Sequence, residues 1–298
     1  MEETLEKQLE KVIERTNRPT NILFVGATGS GKSSTINALF NNEKAKVGFG
    51  ADPETKDIQQ YELGHNLTLW DSPGFGDSKE NDRQYAQQVM TLLQKKDADG
   101  KALIDLVVVI ADNGSRDLGT VYQLISNVII NNLAEEDKNR VVVALNKTDL
   151  LAGGNYWNKE TNRPEPKLEL KIIEKEESVR NRIYADTKIN PTVLSYTAGY
   201  SDEDTQQKPW QLIRLLSSIL AAVPVAKRLT VAKTANPDAE MWKNDENYDE
   251  YTEEADDLLW ETIKDLVEKA KELIPFAKPI IEIGKKVFQI FPKFMPWL

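Results

Sequence analysis

The sequence predicts an α/β fold, a three-layer domain whose mostly parallel six-stranded sheet has one antiparallel edge strand, followed by a C-terminal helical extension. Three observations predict this class. Short β-branched apolar segments alternate with amphipathic segments, one pair of apolar segments is joined by a very short turn, and the alternation ends well before the chain does. Continuous apolar strands that alternate with helices are typical of parallel sheets covered on both faces.

The predicted elements follow one another as strand and helix along most of the chain. The apolar runs that predict buried strands are 22–25, 67–70, 106–110, 141–145 and 191–195. The amphipathic runs that predict helices are 33–40, 82–93, 118–131, 166–184 and 210–220. Residues 58–63 precede the turn Gly64-His65-Asn66 and the strand 67–70, which predicts a hairpin and places one antiparallel strand at the edge of the sheet.

Composition excludes several classes of site. The chain has 298 residues, no cysteine and one histidine, His65. This excludes a disulfide framework, a thiol nucleophile, a cysteine-ligated metal and a histidine-rich zinc site. We interpret His65 as a solvated turn residue and not as a general base. The N-terminal segment is acidic and helical, unlike a secretory signal, so we expect a cytoplasmic protein, either free or peripheral to a membrane.

The formal net charge of −10 is concentrated in one segment. Residues 236–257 contain ten acidic residues and one lysine, so the rest of the chain is almost neutral. It has no basic stripe of the kind that binding to a nucleic-acid backbone requires. Nucleic acid is therefore not expected as a partner.

Composition also predicts four parts of the chain. They are an N-terminal amphipathic helix at 1–20, the main domain at 21–224, an acidic linker at 225–257 and a helical, apolar-basic extension at 258–298. The last segment, 274–298, carries four lysines and one glutamate on an apolar background. It predicts either binding to an anionic membrane surface or packing against the main domain. Charged residues interrupt it too often for a membrane span.

A glycine-rich loop follows the first strand and precedes the first helix. Its sequence, GATGSGKS, fits the phosphate-loop pattern in the structural context that the pattern needs. Glycines allow the backbone N–H groups and the helix N-terminus to point at one centre, where they bind phosphate. We expect Lys32 to reach the β- and γ-phosphates of a nucleotide and the Ser33 hydroxyl to bind Mg²⁺. The predicted nucleotide-binding residues of this loop are Gly26, Gly29, Ser30, Gly31, Lys32, Ser33 and Ser34.

Two further motifs follow later strands. Asp71 and Gly74, in the sequence DSPG, end the second strand of the hairpin, which brings a carboxylate near Mg²⁺ and a glycine N–H near the γ-phosphate. Asn146, Lys147 and Asp149, in the sequence NKTD, follow the fourth apolar strand. The carboxylate of Asp149 can accept hydrogen bonds from guanine N1–H and from the exocyclic amine, a pattern that adenine lacks. This motif therefore predicts selection of guanine.

With these three motifs, residues 21–223 resemble a translation-factor-class P-loop GTPase, similar to the Era-like and 50S ribosome-binding GTPase families and their septin-like relatives. The resemblance implies a Ras-like sheet order, GTP or GDP as ligand, Mg²⁺ as cofactor and attack of water on the γ-phosphoryl group. It also implies that the loop containing Thr197 and Ala198 contacts the guanine oxygen. The implied metal ligands are Ser33, Thr55 and Asp71, and the implied catalytic residues are Lys32, Thr55 and Gly74.

Phe75 departs from the Ras-like pattern, in which a glutamine that orients the attacking water follows the glycine. The resemblance is then to GTPases with a hydrophobic residue at this position, and it implies slow hydrolysis by the isolated chain. Several of these use potassium held by an asparagine of the phosphate loop, but Gly29 occupies that position here. Arg116 is expected near the nucleotide face, either as an arginine delivered across a homodimer or as a surface ion-pair residue at a helix start.

Two classes of function remain open at this point. In the first, the chain is a Mg²⁺-dependent GTPase that is slow alone and is activated by a partner or by dimerisation across the nucleotide face. In the second, it is a nucleotide-gated interaction or membrane-surface module whose GTP-bound conformation is the output, with hydrolysis only resetting it. Phe75 and the C-terminal extension favour the second class. A role in ribosome assembly rests on the family name alone, because the sequence has no appended basic RNA-binding domain.

Overall fold

The computed structural model describes residues 19–41, 57–64, 66–201 and 206–273. The strands in this part of the chain are β1 (Thr20–Gly26), β2 (Gln59–Leu63), β3 (Leu67–Asp71), β4 (Leu106–Asp112), β5 (Val141–Asn146), β6 (Trp157–Asn158), β7 (Arg163–Pro164), β8 (Thr192–Ser195), β9 (Tyr200–Ser201) and β10 (Gln206–Gln207). Six of them form one sheet in the order β2-β3-β1-β4-β5-β8. The predicted α/β fold class is confirmed, because within this six-stranded sheet β2, at the edge, is the one strand that pairs antiparallel.

The described helices are α1 (Lys32–Phe40), α2 (Lys79–Leu93), α3 (Gly119–Gln123), α4 (Pro166–Thr187), α5 (Leu212–Ala222), α6 (Arg228–Thr234) and α7 (Tyr248–Leu273). The helix predicted over 118–131 is present, but its hydrogen bonding changes to π-type over Leu124–Ile129 and to 3-10 type over Ile130–Asn132. Helix α2 begins three residues earlier than predicted because Ser78 caps it, the Ser78 hydroxyl accepting the Asn81 N–H at 3.2 Å.

Two apolar layers explain why the central strands are apolar at every position. Ile22 and Phe24 of β1 pack on one face of the sheet with α1, α5, α6 and α7, whereas Leu23 and Val25 pack on the other face with α2, α3 and α4. All four side chains are fully buried. A strand that is covered on both faces has no solvent-facing positions for polar residues.

The acidic linker expected at 225–257 is instead folded against the main domain. Leu229, Trp242 and Ala255 are buried in the same apolar layer as α1 and β1. Asn236 ties this segment to the end of α1, since its backbone N–H donates to the Leu39 carbonyl at 2.7 Å and its amide donates to the Ala38 carbonyl at 2.9 Å. These bonds satisfy carbonyls that a helix C-terminus leaves unpaired. The acidic residues of the segment lie mostly on its outer side, where charge is compatible with folding.

Helix α7 begins at Tyr248, ten residues before the start that the sequence predicts, and it packs on the main domain. Leu259 and Ile263 are buried against the layer that contains α5. Arg228 of α6 joins the neighbouring helices, because its guanidinium donates to the Leu220 carbonyl at 2.8 Å and to the Glu261 carboxylate at 2.5 Å. The described part of the predicted extension therefore belongs to the same core as the sheet.

Several predictions concern residues outside the described part of the chain. These are the N-terminal helix within 1–20, Thr55, His65 and the apolar-basic segment 274–298. The domain division at residue 20 and a membrane-binding role of 274–298 stay predictions. None of the helices in the described residues combines the length and the apolar composition that crossing a bilayer requires.

Because of Asp245, in the loop before α7, we expect the free energy of unfolding to depend on pH. Burial, with a smaller contribution from the charge of Glu246, raises the pKa of Asp245, and the Asn247 N–H and the charges of Arg214 and Arg163 oppose the rise, so that the pKa is about 6. Because the pKa is raised in the folded state, stability is lost as the pH rises through about 6. We expect Asp245→Asn to increase the free energy of unfolding by about 2 kcal/mol at pH 8, an increase that shrinks as the pH approaches 4.

Urea unfolding of Asp245→Asn and wild type across this pH range measures the difference directly. A difference that does not change with pH would show that Asp245 is ionised in the folded protein throughout the range.

Candidate nucleotide-binding site

The predicted motifs converge at one edge of the sheet. Strands β1, β3, β4, β5 and β8 are parallel, so their carboxyl ends meet there, and each predicted motif follows one of these ends. In open α/β sheets this edge is where ligands bind. The structure brings together the phosphate loop, the DSPG segment, the NKTD segment and the loop after β8. Ser34 lies beside Ser33 in the first turn of α1.

Two glycines of the phosphate loop are required by close approaches. Gly31 has a left-handed backbone (φ +89°), and a Cβ atom there would collide with the side-chain amide of Asn146. A Cβ atom on Gly26 would collide with the carbonyl oxygen of Ile110 in β4. Larger residues at either position would push the loop away from the strands that hold it. Gly29 also has a positive φ, but open space surrounds it.

Lys32 is buried at the start of α1, with its ammonium group over the phosphate loop. Its Nζ atom donates to the carbonyl oxygens of Gly26 and Ala27, both at 3.3 Å. Burial lowers the pKa of Lys32, and the charges of Asp71 and Asp77 oppose that shift. A buried cation whose partners in the described part of the chain are two neutral carbonyls at long hydrogen-bond distance is favourably placed to bind phosphate, which is a stronger partner.

Ser33 and Asp71 form a pair of oxygen ligands beside Lys32. The Ser33 hydroxyl donates to Asp71 Oδ2 at 3.2 Å, while Asp71 Oδ1 is buried and has no hydrogen-bond partner among the described residues. Burial raises the pKa of Asp71, and Lys32 and Ser33 oppose the rise. An unpaired buried carboxylate oxygen next to a hydroxyl fits Mg²⁺, which binds one or two protein oxygens and completes its shell with phosphate and water.

The described residues offer few oxygen ligands at this site, which fits a Mg²⁺ ion that is bound mainly by phosphate and water. The described residues contain no cluster of three or more His, Cys, Asp or Glu side chains able to hold a metal ion by themselves. Thr55, the third predicted ligand, lies outside the described residues.

A short bridge joins the phosphate loop to the residues after β3. The Thr28 N–H donates to the Phe75 carbonyl at 2.8 Å and the Phe75 N–H donates to the Gly26 carbonyl at 3.1 Å. Gly74 passes so close to Thr28 that a Cβ atom on it would lie 2.6 Å from Thr28 Cα. Gly74 is therefore needed for the contact between the two loops, in addition to its predicted role near the γ-phosphate.

The Phe75 side chain lies in the apolar core and not among the polar groups of the site. It is 4% exposed and packs edge-to-face on Tyr85 of α2, with ring centroids 6.2 Å apart. Only the backbone of Phe75 faces the phosphate loop. The residue that replaces the water-orienting glutamine therefore has a structural role.

Phe75→Gln provides a test of that role. A buried amide without hydrogen-bond partners is expected to lower the free energy of unfolding by about 2–4 kcal/mol. It is expected not to accelerate GTP hydrolysis, because its side chain would replace a ring that points into the core. Chemical denaturation and phosphate release measure the two effects, and Phe75→Leu controls for the loss of the ring. Faster phosphate release by Phe75→Gln than by wild type would contradict the structural role of Phe75.

Asn146 connects the NKTD segment to the phosphate loop and to the loop after β8. Its amide donates to the Ser30 carbonyl at 3.0 Å, and its side-chain oxygen accepts the Ala198 N–H at 2.9 Å. The side chain is almost completely buried. Lys147, the next residue, has a left-handed backbone, and its ammonium pairs with Asp112 at 2.9 Å. The NKTD segment is thus held to the phosphate loop, to the loop after β8 and to the end of β4.

Asp149 presents an acceptor at the end of this segment. Its Oδ1 atom accepts the Thr197 hydroxyl at 3.3 Å. Burial raises the pKa of Asp149, whereas hydrogen bonds from its own backbone, Thr197 and Gln207 lower it. Those bonds favour the ionised form, which is the form that accepts two N–H groups from guanine.

Asn113 contributes to the shape of the site but belongs to none of the predicted motifs. Asn113 is fully buried after β4, and its amide donates to the hydroxyls of Thr148 at 3.0 Å and Ser195 at 3.2 Å. Its backbone N–H donates to the Asn146 carbonyl at 2.7 Å. Asn113 therefore holds β4, β5 and β8 in register where the motifs begin. Its position directly after an apolar strand is the one hint that the sequence offers.

An open cavity of about 890 Å³ is lined in part by Asp149. Part of its wall is Asn162, which accepts the Gln207 amide at 2.9 Å through its side chain and the Asn244 amide at 3.1 Å through its carbonyl. The segment that precedes α7 is thus hydrogen-bonded to the surroundings of Asp149, a connection that the sequence does not predict.

Arg116 lies in the loop after β4, at the same edge of the sheet as the motifs. Its side chain is exposed, and no carboxylate in the described ranges forms an ion pair with it.

The fold and the arrangement of the three motifs resemble those of P-loop GTP-binding domains. Residues 21–147 match the family described as 50S ribosome-binding GTPase, a match that includes the phosphate loop, DSPG and the first two residues of NKTD. The matched segment is less than half of the chain. Membership in the Era-like branch stays a prediction.

The curated relatives are similar over a short segment. Septin-8-A of Danio rerio is 42% identical over 72 residues, which is 22% of this chain and 17% of the septin. Interferon-gamma-inducible GTPase 10 of Mus musculus is 37% identical over 76 residues, 24% of this chain and 18% of that protein. The chain thus matches under a fifth of the length of these relatives. Septin-like relatives, expected from the sequence, are confirmed.

Among solved structures, Toc33 from Arabidopsis thaliana in complex with Mg²⁺ and GMPPNP is 14% identical, with a TM-score of 0.47 over 68% of this chain and 80% of that chain.

Proposed function

We propose that the chain binds GTP and GDP with Mg²⁺ and hydrolyses GTP to GDP and phosphate. One observation carries the proposal: Asn146 is bonded both to Ser30 of the phosphate loop and to Ala198 of the loop after β8. A single purine nucleotide can therefore reach Asp149 with its base and Lys32 with its phosphates. The carboxylate of Asp149 favours guanine over adenine, because adenine offers no N1–H.

In this proposal each group of the site has a distinct task. The backbone N–H groups of the phosphate loop and the N-terminus of α1 bind the β-phosphate. Lys32 neutralises the β- and γ-phosphates, and the Gly74 N–H holds the γ-phosphate. Ser33 and Asp71, with Thr55, would hold Mg²⁺, which would neutralise the charge that develops on the phosphoryl oxygens. Thr197 keeps the Asp149 carboxylate oriented towards the base.

The isolated chain is proposed to hydrolyse GTP slowly. The Phe75 side chain is buried against Tyr85, so it cannot orient water. An arginine delivered from another molecule accelerates related reactions by about 10³–10⁵-fold. We propose Arg116 as that group, acting across a homodimer of the nucleotide face, because it is exposed at the edge of the sheet where the nucleotide binds.

Phosphate release per protein molecule, measured with GTP and Mg²⁺ over a hundredfold range of protein concentration, tests this mechanism. We expect a specific rate that rises with concentration in wild type and stays low in Arg116→Ala. Arg182→Ala, which removes an exposed arginine of α4, is the matched control and should behave as wild type. A specific rate that rises equally in Arg116→Ala would exclude the proposed role of Arg116. The absence of phosphate release under all conditions would exclude the proposed GTPase activity.

A second candidate function is a nucleotide-gated interaction module. It is favoured by the hydrogen bonds that run from Asp149 through Gln207 and Asn162 to Asn244, four residues before the start of α7. Base binding at Asp149 would then be transmitted to α7 and to the apolar-basic segment 274–298, with an anionic membrane surface as the partner. Flotation with anionic vesicles that requires GTP, together with negligible GTP turnover, would support this function. Flotation that is equal with GTP, with GDP and without nucleotide would exclude gating by the nucleotide.

A further inference from the structure

Tyr196 places a phenol group in the middle of the domain. It lies between β8 and Thr197, its side chain is completely buried, and burial raises the pKa of its hydroxyl. Thr35, on the first turns of α1, is also completely buried. Tyr196 Oη and Thr35 Oγ1 are 2.5 Å apart. The base-reading loop therefore contacts the helix that starts in the phosphate loop at a second point, separate from Asn146.

The direction of these hydrogen bonds follows from the number of protons. Thr35 Oγ1 lies 2.8 Å from the carbonyl oxygen of Gly31, which can only accept, so the Thr35 hydroxyl donates there. A hydroxyl has one proton, and Tyr196 must therefore donate to Thr35. The result is a directed chain from the Tyr196 hydroxyl through Thr35 to the Gly31 carbonyl.

The Gly31 carbonyl thus accepts two hydrogen bonds, one from the Thr35 hydroxyl and one from the Thr35 N–H at 2.9 Å. Its peptide group includes the N–H of Lys32, which is the first N–H of α1 and has no partner within the helix. Hydrogen bonds in series polarise one another. A carbonyl that accepts two of them makes the N–H of the same peptide group a stronger donor.

We propose that Tyr196 is a positioning residue for phosphate binding, which it supports through Thr35 and the Gly31–Lys32 peptide group. This inference rests on the proposed binding of guanine nucleotides. It assigns to Tyr196 an effect on the phosphate half of the ligand, although the residue is adjacent to the base-reading loop.

The test compares GDP with IDP, the analogue that lacks the exocyclic amine of the base, by calorimetric titration of the full chain with Mg²⁺. Tyr196→Phe removes the hydroxyl and keeps the ring. We expect it to weaken GDP binding and IDP binding equally, by about threefold to tenfold, so that their affinity ratio stays at the wild-type value. An unchanged GDP affinity in wild-type-like folded protein would overturn the inference, and so would a changed ratio, since that would place the effect on the base.

Two substitutions of Thr35 keep the inference testable if Tyr196→Phe does not fold. Thr35→Val breaks the chain and should weaken both nucleotides as Tyr196→Phe does, whereas Thr35→Ser keeps the hydroxyl and should retain wild-type affinity. In the double variant the Tyr196→Phe change should add little, because the chain is already broken. Additive losses, or a Thr35→Ser variant as weak as Thr35→Val, would overturn the inference.

Thr262→Val is the matched control. Thr262 is a fully buried threonine of α7 whose hydroxyl donates to the Leu258 carbonyl at 2.9 Å, the same local bond as that of Thr35 but far along the chain from the site. We expect it to change stability and not GDP affinity, and a GDP loss equal to that of Thr35→Val would overturn the inference. If wild type binds no GDP, the proposed function fails as well. If wild type binds GDP and Tyr196→Phe binds it equally, this inference alone fails.

Discussion

Lys32→Met is expected to weaken the binding of GTP and GDP by about 10- to 100-fold, the range that removal of a charge-assisted hydrogen bond produces. Methionine fills the space of the lysine stem without an ammonium group. The wild-type ammonium is buried over the phosphate loop with two long hydrogen bonds to carbonyls. A phosphate group is a better partner for it than those carbonyls, so most of the lost interaction is with the ligand.

Although Lys32→Met weakens nucleotide binding, it should raise the free energy of unfolding or leave it unchanged. Burial lowers the pKa of Lys32, which indicates that the charged form is costly in the folded protein, and methionine removes that cost. Calorimetric titration and chemical denaturation separate the two effects. Lys171→Met, at an exposed position of α4, is the control for a general effect of lost charge. Retention of wild-type GDP affinity in Lys32→Met would contradict the placement of phosphate in this loop.

Asp149→Asn is expected to change which base is bound, with GTP binding weakened by about 10- to 100-fold and XTP binding strengthened. The aspartate accepts two N–H groups of guanine, whereas asparagine offers one acceptor and one donor group. Xanthine has a carbonyl oxygen where guanine has its amine, so it matches the asparagine. Thr197 can still donate to the side-chain oxygen of asparagine, which keeps the side chain oriented.

Competition of GTP and XTP for the same protein sample measures this change of preference. Asp186→Asn, at the exposed end of α4, is the control and should keep the wild-type preference. Equal loss of both nucleotides in Asp149→Asn would indicate that the residue maintains the loop and does not read the base.

The fold could be predicted because the sequence signals were local. β1 and β4 are apolar at successive positions because both faces of the sheet are covered, and the short turn after β2 allows one pairing. The phosphate loop was predictable for a related reason. Gly26 and Gly31 are required by contacts that any residue with a Cβ atom would break, so spacing alone identifies the loop.

What the sequence could not show depends on contacts between distant segments. The many acids of 236–257 predicted a linker, yet Trp242 among them is fully buried and donates to the Asn236 carbonyl at 2.9 Å. The apolar residues interspersed with the acids were the available signal. Tyr196 and Thr35 are 161 positions apart, and neither belongs to a motif. The inward direction of Phe75 required its neighbour Tyr85 to be placed first.

The central claim is that one guanine nucleotide binds at the edge where these motifs meet. Calorimetric titration of the nucleotide-free chain with GDP and, separately, with ADP, both with Mg²⁺, tests it most directly. We expect one GDP per chain and ADP binding at least about 100-fold weaker, because adenine leaves the acceptor atoms of Asp149 without the N–H groups that guanine donates. Equal affinity for the two nucleotides, or no binding of GDP, would contradict it.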